Sequence, residues 1–251
     1  MLSIRDVAVS FGGVAALDGV DVDVPPGRVV GLVGPNGSGK STLLNVVAGV
    51  ITPARGTVVL DGAALPLGRP EGVAARGIAR TFQVPRLARR LTVAQNVVAG
   101  ARDQPGERLL DLFLRPGAVS AAERAATARA FAVMARLGLD HLADHPAGGL
   151  SGGQQKLLTM GMALMAEPRV MLLDEPAAGV NPVLIAQQVR FLRALAGEGR
   201  AILLIEHNME MVSDICDTVF VLAAGRVIAY GTPAEIRSDR TVMRTYLGEV
   251  A

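Results

Sequence analysis

Residues 29–41 read VVGLVGPNGSGKS, a short apolar run followed by the spacing G-x-x-x-x-G-K-[ST]. Glycines at these intervals let successive backbone N–H groups turn toward one anion, and the start of the following helix adds partial positive charge. A glycine-rich turn without a ligand is the alternative, but the buried strand before it and the apolar helix after it are the context that the motif requires. The stretch therefore predicts a phosphate-binding loop.

Three apolar runs lack alternation, as strands do when helices cover both faces of a parallel sheet: 29–33, 170–173 and 201–205. Each run ends in polar or glycine-rich sequence, and ligands bind at the carboxyl ends of such strands. By contrast, Val20–Val24 alternates and Asp217–Tyr230 has two apolar stretches around a turn, so we expect half-exposed antiparallel pieces there. The pattern predicts an α/β fold with a mainly parallel core, an antiparallel side sheet and a late hairpin.

The middle of the chain has a helical pattern. Ser120-Ala-Ala-Glu123 predicts a capping box at the start of an alanine-rich helix that ends near Gly138, and Gln154–Ala166 predicts another helix. The proline, glycine and mixed charges of Gln104–Gly117 favour a loop. We therefore predict a single domain over 1–251, with a core formed by 1–83 and 161–251 and a helical subdomain over 84–160.

Composition excludes several classes of protein. One cysteine among 251 residues, Cys216, cannot form an internal disulfide, and no uninterrupted apolar run reaches the length of a membrane span. A formal charge of +2 is too small to argue for nucleic acid. No signal or transit peptide is expected, and the cytosol is the expected compartment. Only Lys40 and Lys156 among the 25 basic residues are lysine.

Two carboxylates, Asp174 and Glu175, directly follow the second apolar run. Isolated charges at the end of a buried strand are costly unless a cation or hydrogen bonds offset them. Helix capping is the alternative role, but the phosphate loop favours chemistry. We predict that Asp174 and Ser41 hold Mg²⁺, that Lys40 contacts the terminal phosphates, and that Glu175 orients and deprotonates an attacking water.

The order of these motifs resembles that of the ABC-type ATPases, P-loop NTPases with a RecA-like core that serve as the nucleotide-binding subunits of ABC transporters. Residues 150–154 match the LSGGQ sequence that distinguishes this family. Ser151 is expected to cap a helix that directs its positive end at an anion. The resemblance implies that this anion is the γ-phosphate of ATP bound by the opposite subunit, contacted by Ser151, Gly152, Gly153 and Gln154.

The resemblance also implies roles for single residues. Gln83 would reach Mg²⁺ and the water, His207 would contact the γ-phosphate, and Phe11 would stack on adenine. Outside the family pattern, Gln83 is typical of a solvated surface residue, and His207 and Phe11 are typical of core groups. The implied ATP-binding set is Phe11, Gly34, Pro35, Asn36, Gly37, Ser38, Gly39, Lys40, Ser41 and Thr42; the implied catalytic set is Glu175, His207 and Gln83; the implied Mg²⁺ ligands are Ser41, Gln83 and Asp174.

Several strings narrow the resemblance to the first ATPase subunit of branched-chain amino acid importers: 80–83, 174–182, 205–209 and the ending 246–249. The ending also resembles that of the lipopolysaccharide-export ATPase, so it does little to distinguish these two subfamilies. Two residues depart from the family pattern. Asn181 stands where the loop after Glu175 usually has aspartate, and Asn208 stands where this group commonly has aspartate.

The resemblance implies an enzyme that hydrolyses ATP with Mg²⁺ to energise import of branched-chain or related amino acids. Its implied partners are a second copy or a paralogous ATPase, separate membrane permease subunits and, indirectly, an external substrate-binding protein. The implied location is the cytoplasmic face of the cell membrane, with permease docking near 84–91, although that segment could instead be buried in the chain's own core. A lipopolysaccharide-export-like or urea/amide system competes with this interpretation. So does a non-transport ABC ATPase that acts on nucleic acid, which the low net charge disfavours.

Overall fold

A computed structural model describes residues 1–102, 106, 113–240 and 242. The chain divides into two compact units. The first contains Met1–Gln83, Arg169–Ala178 and Leu192–Ala251, and the second contains Val84–Pro168 and Gly179–Phe191. The predicted division into a core and an insert over 84–160 places the boundaries at other residues and stays a prediction.

The described part of the first unit contains ten strands. They are β1 (Leu2–Phe11), β2 (Val14–Val24), β3 (Val29–Val33), β4 (Arg55–Leu60), β5 (Ala63–Ala64), β6 (Ile78–Arg80), β7 (Val170–Asp174), β8 (Ala201–Ile205), β9 (Thr218–Ala223) and β10 (Arg226–Gly231). A six-stranded sheet has the order β10-β9-β3-β8-β7-β6, and a four-stranded sheet has the order β2-β1-β4-β5.

The larger sheet confirms the three predicted core strands. Strands β3, β7 and β8 are buried along their whole length, and β8 pairs in parallel with both of the others. Residues without alternating polarity form these strands because both faces of a central parallel strand are covered. The predicted second strand ends one residue later than its apolar run, because Asp174 still pairs with Ile205.

The smaller sheet confirms the predicted antiparallel pairing. Strand β2 pairs antiparallel with β1, and β1 also pairs antiparallel with β4. Val20, Val22 and Val24 are buried on β2, while Asp21 is exposed. The alternation in the sequence therefore reflects one buried and one solvated face. This strand begins well before the predicted stretch, at Val14.

The hairpin prediction needs one correction. Strands β9 and β10 do pair antiparallel on either side of a turn at Ala224 and Gly225. However, β9 also pairs in parallel with β3, and Val219 and Val221 are fully buried. The hairpin thus extends the main sheet. The prediction of a half-exposed piece is wrong for β9, which is covered inside the sheet, and is confirmed for β10, the edge strand, whose residues are all exposed or partly exposed.

Eight α-helices lie wholly within the described residues. They are α1 (Lys40–Val47), α2 (Pro70–Ala75), α3 (Val93–Ala99), α4 (Pro116–Arg136), α5 (Gly152–Met165), α6 (Pro182–Gly197), α7 (Met209–Ile215) and α8 (Pro233–Ser238). Helix α1 buries Leu43 and Leu44 in an apolar cluster that also contains Ile4 and Leu203. This packing fixes the helix that follows the glycine-rich loop. In the part of the chain that the structure describes, no helix is long and apolar enough to cross a membrane.

The predicted capping box at Ser120 is wrong. Helix α4 begins at Pro116, a residue whose fixed φ suits the first helical turn and which needs no amide partner there. Ser120 lies inside the helix, where its hydroxyl accepts a hydrogen bond from Arg124 Nη1. The predicted end near Gly138 is confirmed, because Leu137 caps the helix and Gly138 has φ 61°.

Two further predictions fall mostly outside the described residues. The loop expected over Gln104–Gly117 is described only at residues 106 and 113–117, and its last two residues, Pro116 and Gly117, belong to α4. The ending at 246–249 lies wholly outside the described residues.

The thiol of Cys216 is buried after α7, and we expect it to be unreactive in the folded chain. Burial raises its pKa to about 12, and the carboxylates of Asp217 and Glu206 add to the shift. Because the thiolate is the reacting form, modification by a disulfide reagent at pH 8 should be at least about 100-fold slower in the native than in the denatured chain. Equal rates would contradict this assignment.

The same shift gives a dependence of stability on pH. An unfolded chain releases the thiol proton near the ordinary pKa, whereas the folded chain keeps it. The stabilisation is therefore complete below about pH 8.5 and is lost as the pH rises toward 12. Denaturant unfolding across this range should show less loss of stability in Cys216→Ala than in the unmodified chain.

Candidate active site

The candidate site lies at the carboxyl ends of three neighbouring strands. Strand β8 lies between β3 and β7 in the larger sheet. The glycine-rich loop follows β3, Glu175 follows β7, and His207 lies just beyond β8. Because parallel strands end at the same sheet edge, residues far apart in sequence come together there.

The glycine-rich loop fits against the backbone of neighbouring strands. A Cβ on Gly34 would lie 2.0 Å from the carbonyl oxygen of Leu222, and a Cβ on Gly39 would lie 2.4 Å from the carbonyl oxygen of Ala16. Both glycines also have left-handed φ values, 148° and 105°. Packing alone therefore requires glycine at these two positions, before any ligand is considered.

Lys40 is almost fully buried, at 6% exposure, where the loop becomes α1. Its Nζ donates hydrogen bonds to the carbonyl oxygens of Gly34 and Pro35, each at 2.8 Å. Burial lowers the pKa of Lys40, while the charges of Glu175 and Asp174 oppose that shift. The ammonium group is thus held by the loop's own carbonyls, on the inner side of the turn.

Glu175 is the point at which the site residues meet. Gln83 Nε2 donates to its Oε2 at 2.6 Å, and His207 Nε2 lies 3.1 Å from its Oε1. Its backbone N–H donates to the carbonyl oxygen of Ile205 at 3.0 Å. The residue has φ 48°, a left-handed value that side chains other than glycine adopt at a cost. The structure brings all three predicted catalytic side chains together.

Asp174 pairs with a residue that was not predicted to belong to the site. Arg80 Nη2 lies 3.2 Å from Asp174 Oδ2, and both side chains are largely buried. Arg80 Nη1 also donates to Asn45 Oδ1 on α1 at 2.5 Å. In the sequence, Arg80 is only a basic residue at the end of a short strand. Its pairing with Asp174 can be predicted only once β6 is known to lie beside β7.

Glu206 is a second residue that sequence reasoning missed. It follows β8 and is 2% exposed. Its carboxylate accepts hydrogen bonds from the backbone N–H groups of Ala177, His207 and Asn208. Its position in the sequence, directly between an apolar strand and the predicted functional histidine His207, would have been enough to identify Glu206 as a candidate.

The remaining residues of the predicted ATP set differ in exposure. Phe11 is 52% exposed where β1 ends, so core packing does not account for it. Asn36, Gly37 and Ser41 are exposed, and Ser38 is buried. The predicted set thus combines one open aromatic ring with a loop that has an exposed tip.

The LSGGQ segment lies in the second unit and has the predicted cap. Ser151 is the N-cap of α5, where its Oγ accepts from Gln154 N at 3.3 Å and Gln154 Oε1 accepts from Ser151 N at 2.9 Å. Ser151 and Gly152 are exposed. A Cβ on Gly153 would lie 2.7 Å from Leu184 Cδ1, so close packing requires this glycine.

The two asparagines that depart from the family pattern are both helix caps. Asn181 Oδ1 accepts from Leu184 N at 3.0 Å before α6, and Asn208 Oδ1 accepts from Met211 N at 2.9 Å before α7. Asparagine and aspartate cap helices about equally well because both present an oxygen to the free N–H groups. The departures therefore preserve the local structure.

We predict that Asn181→Asp keeps the stability of the chain within about 0.5 kcal/mol, whereas Asn181→Ala lowers the free energy of unfolding by about 1 kcal/mol. The alanine variant leaves Leu184 N without its cap acceptor. Urea unfolding followed by circular dichroism measures both changes. An alanine variant as stable as the unmodified chain would show that the cap contributes nothing.

Comparison with known protein families gives two matches. The ABC transporter family profile matches residues 17–178. A second profile, described as branched-chain amino acid ATP-binding cassette transporter, matches residues 226–251. Together the matches include the phosphate loop, the LSGGQ segment and the two carboxylates at the end of β7, Asp174 and Glu175.

Individual proteins resemble the chain over nearly its full length. The high-affinity branched-chain amino acid transport ATP-binding protein LivG of Escherichia coli K12 is 35% identical, covering 99% of this chain and 98% of its own. A solved ATP-binding cassette of an ABC transporter in its ADP conformation is 35% identical with a TM-score of 0.84, covering 99% of both chains. A dimeric cassette in a post-hydrolysis state with ADP and Pi is 26% identical with a TM-score of 0.76, covering 93% of this chain and 99% of its own.

Proposed function

The chain belongs to the ABC transporter family of ATP-binding subunits, and from this membership we propose that it hydrolyses ATP to drive import of branched-chain amino acids through separate permease subunits. The observation that carries the proposal is the meeting of Gln83 and His207 on the carboxylate of Glu175. Three loops from different parts of the chain converge there.

The site chemistry suits hydrolysis of a phosphoanhydride. Glu175 is the group that accepts a proton from an attacking water, and Gln83 and His207 orient the Glu175 carboxylate. Lys40 neutralises charge on the terminal phosphates, and the N–H groups of the glycine-rich loop bind their oxygens. Phosphoryl transfer depends mainly on positioning and charge neutralisation, and these residues supply both.

The donor set near the loop fits Mg²⁺. Ser41, Gln83 and Asp174 offer hydroxyl, amide and carboxylate oxygens, the hard donors that this ion prefers beside substrate phosphates. When bound, Mg²⁺ would neutralise charge on the phosphate oxygens. Arg80 keeps Asp174 in place through the contact at its Oδ2.

We propose that the working form is a pair of ATPase subunits. The exposed start of α5, with Ser151 and Gly152 at its tip, is able to contact the γ-phosphate of ATP held by the partner subunit. A relative solved as a dimer with ADP and Pi supports this arrangement. ATP would bridge the two subunits, and its hydrolysis would release them. The partner is a second copy or a paralogue.

The segment 84–91 is the proposed permease contact. Val84 is 75% exposed and Leu91 is 42% exposed. Exposed apolar side chains in one segment are typical of a protein interface. Docking there would place the subunit on the cytoplasmic face of the membrane, with an external binding protein delivering the substrate to the permease.

Substrate choice rests on the relatives. LivG, which is named for branched-chain amino acid transport, covers 99% of this chain. The C-terminal profile at 226–251 carries the same description. Urea, amides and lipopolysaccharide are the competing cargoes that an assay must include.

The experiment is purification of the tagged chain with its co-purifying permease, reconstitution in lipid, and ATPase measurement with the cognate binding protein. We expect leucine, isoleucine or valine to stimulate hydrolysis, and urea, lipopolysaccharide, DNA and RNA to leave it unchanged. Affinity of the binding protein for each ligand is the matched control. Stimulation by a nucleic acid in the absence of permease would overturn the transport proposal, and stimulation by urea alone would overturn the substrate.

A further inference from the structure

The carboxylate of Glu206 joins two loops of the first unit. Its Oε1 accepts from Ala177 N at 2.6 Å, and its Oε2 accepts from His207 N at 2.9 Å and Asn208 N at 3.1 Å. A carboxylate that is 2% exposed is costly without such bonds. The side chain is therefore fixed by backbone groups on both sides.

Each of these loops carries one of the residues proposed to act on ATP. Ala177 lies two positions after Glu175, and His207 is itself one of the donors to Glu206. A further bond, from Glu175 N to the carbonyl oxygen of Ile205, joins the same two chain segments. The two residues whose side chains meet at 3.1 Å, His207 at Nε2 and Glu175 at Oε1, thus belong to segments that are already joined by hydrogen bonds to their backbone groups.

We propose that Glu206 is a positioning residue that holds Glu175 and His207 in the geometry needed for hydrolysis. The inference rests on the proposed function of those two residues. Glu206 acts through the backbone of both loops and is too buried to touch nucleotide. Outer residues of this kind typically fix the orientation of the groups that perform chemistry.

The sharpest variant is Glu206→Gln, because glutamine has nearly the same size and shape. A carboxamide has one oxygen acceptor and one NH₂ donor. Whichever way it is oriented, its NH₂ faces a backbone N–H, either that of Ala177 or those of His207 and Asn208. The variant therefore breaks the connection to one loop while it leaves the packing of the side chain intact.

We expect Glu206→Gln to lower kcat for ATP hydrolysis by about 10- to 100-fold, with KM for ATP and binding of a fluorescent ATP analogue changed less than about threefold. Hydrogen exchange should become faster at residues 174–178 or 206–208, and stay unchanged in β3. A kcat within twofold of the unmodified chain would overturn the proposal. So would a loss of ATP binding that matches the loss of kcat.

The control is Leu203→Ala, which alters a fully buried apolar side chain of β8, the strand that ends just before Glu206. It should lower the melting temperature but keep kcat at temperatures where the chain is folded. If Glu206→Gln fails to fold, Glu206→Asp keeps the charge and is too short to reach both loops, so the same loss of kcat is expected and an unchanged kcat overturns the proposal.

The proposed function and this inference fail in different ways. An unmodified chain that does not hydrolyse ATP would remove the proposed function, and a Glu175→Gln variant with normal turnover would remove the proposed role of Glu175 on which this inference rests. Normal turnover in Glu206→Gln alone, with loss of turnover in Glu175→Gln, would remove only the positioning role.

Discussion

Glu175→Gln should lower kcat for ATP hydrolysis by about 10²- to 10⁴-fold while the variant still binds ATP. The carboxylate is the proton acceptor of the proposed mechanism, and an amide cannot take a proton from water. Gln83 and His207 both contact this side chain, so the change falls at the centre of the site. Phosphate release under saturating ATP measures turnover, and a fluorescent ATP analogue measures binding.

The same variant should accumulate a dimer in the presence of ATP, because nucleotide that is not hydrolysed keeps bridging the subunits. Size-exclusion chromatography with ATP, compared with ADP, detects this change. A monomer in both nucleotides would contradict the proposed sandwich, and hydrolysis at the normal rate would show that another group is the base.

The matched control is Glu167→Gln. Glu167 has nearly the same left-handed backbone as Glu175, with φ values of 49° and 48°, but it lies in the second unit and forms an ion pair with Arg129 on the surface. The control removes the same charge from the same kind of backbone position. We expect its turnover to match that of the unmodified chain.

Lys40→Ala should lower kcat/KM for ATP by at least about 10²-fold, since removal of one donor to a developing oxyanion typically has this effect. The ammonium group lies inside the glycine-rich loop, where it donates to the carbonyls of Gly34 and Pro35, so its charge is placed at the loop proposed to bind the phosphates. Titration with a fluorescent ATP analogue separates loss of binding from loss of turnover.

Lys40→Arg should also be impaired, because a branched guanidinium does not fit the space that a compact ammonium group fills. The control is Lys156→Ala, which removes the other lysine of the chain and should leave nucleotide binding by the isolated subunit unchanged. Undiminished ATPase activity in Lys40→Ala would contradict the phosphate-loop assignment.

Local sequence was sufficient to predict the core of the first unit. The runs at β3, β7 and β8 are apolar throughout because each strand is covered on both faces, and this pattern does not depend on distant residues. The cap at Ser151 was predictable for the same reason, since a capping box involves residues only three apart. Helix α4 was misplaced because Pro116 and Ser120 both favour a helix start.

The contacts that complete the site were not predictable from local sequence. Arg80 reaches Asp174 across 94 positions, and Glu206 reaches Ala177 across 29. These partners are selected by the order of strands in the sheet, which composition and spacing do not encode. Motif recognition therefore identified the residues proposed to touch ATP, and the structure was needed to find the residues that hold them.

The left-handed backbone of Glu175 has a consequence for engineering. Glycine relieves strain at such a position, so a library selected only for resistance to heat would be expected to favour glycine at 175 and to yield stable chains that no longer turn over ATP. Ala224, with φ 47° in the turn between β9 and β10, offers the same relief away from the proposed chemistry. Thermostable forms of this subunit should therefore be sought at turns such as Ala224 and screened by turnover.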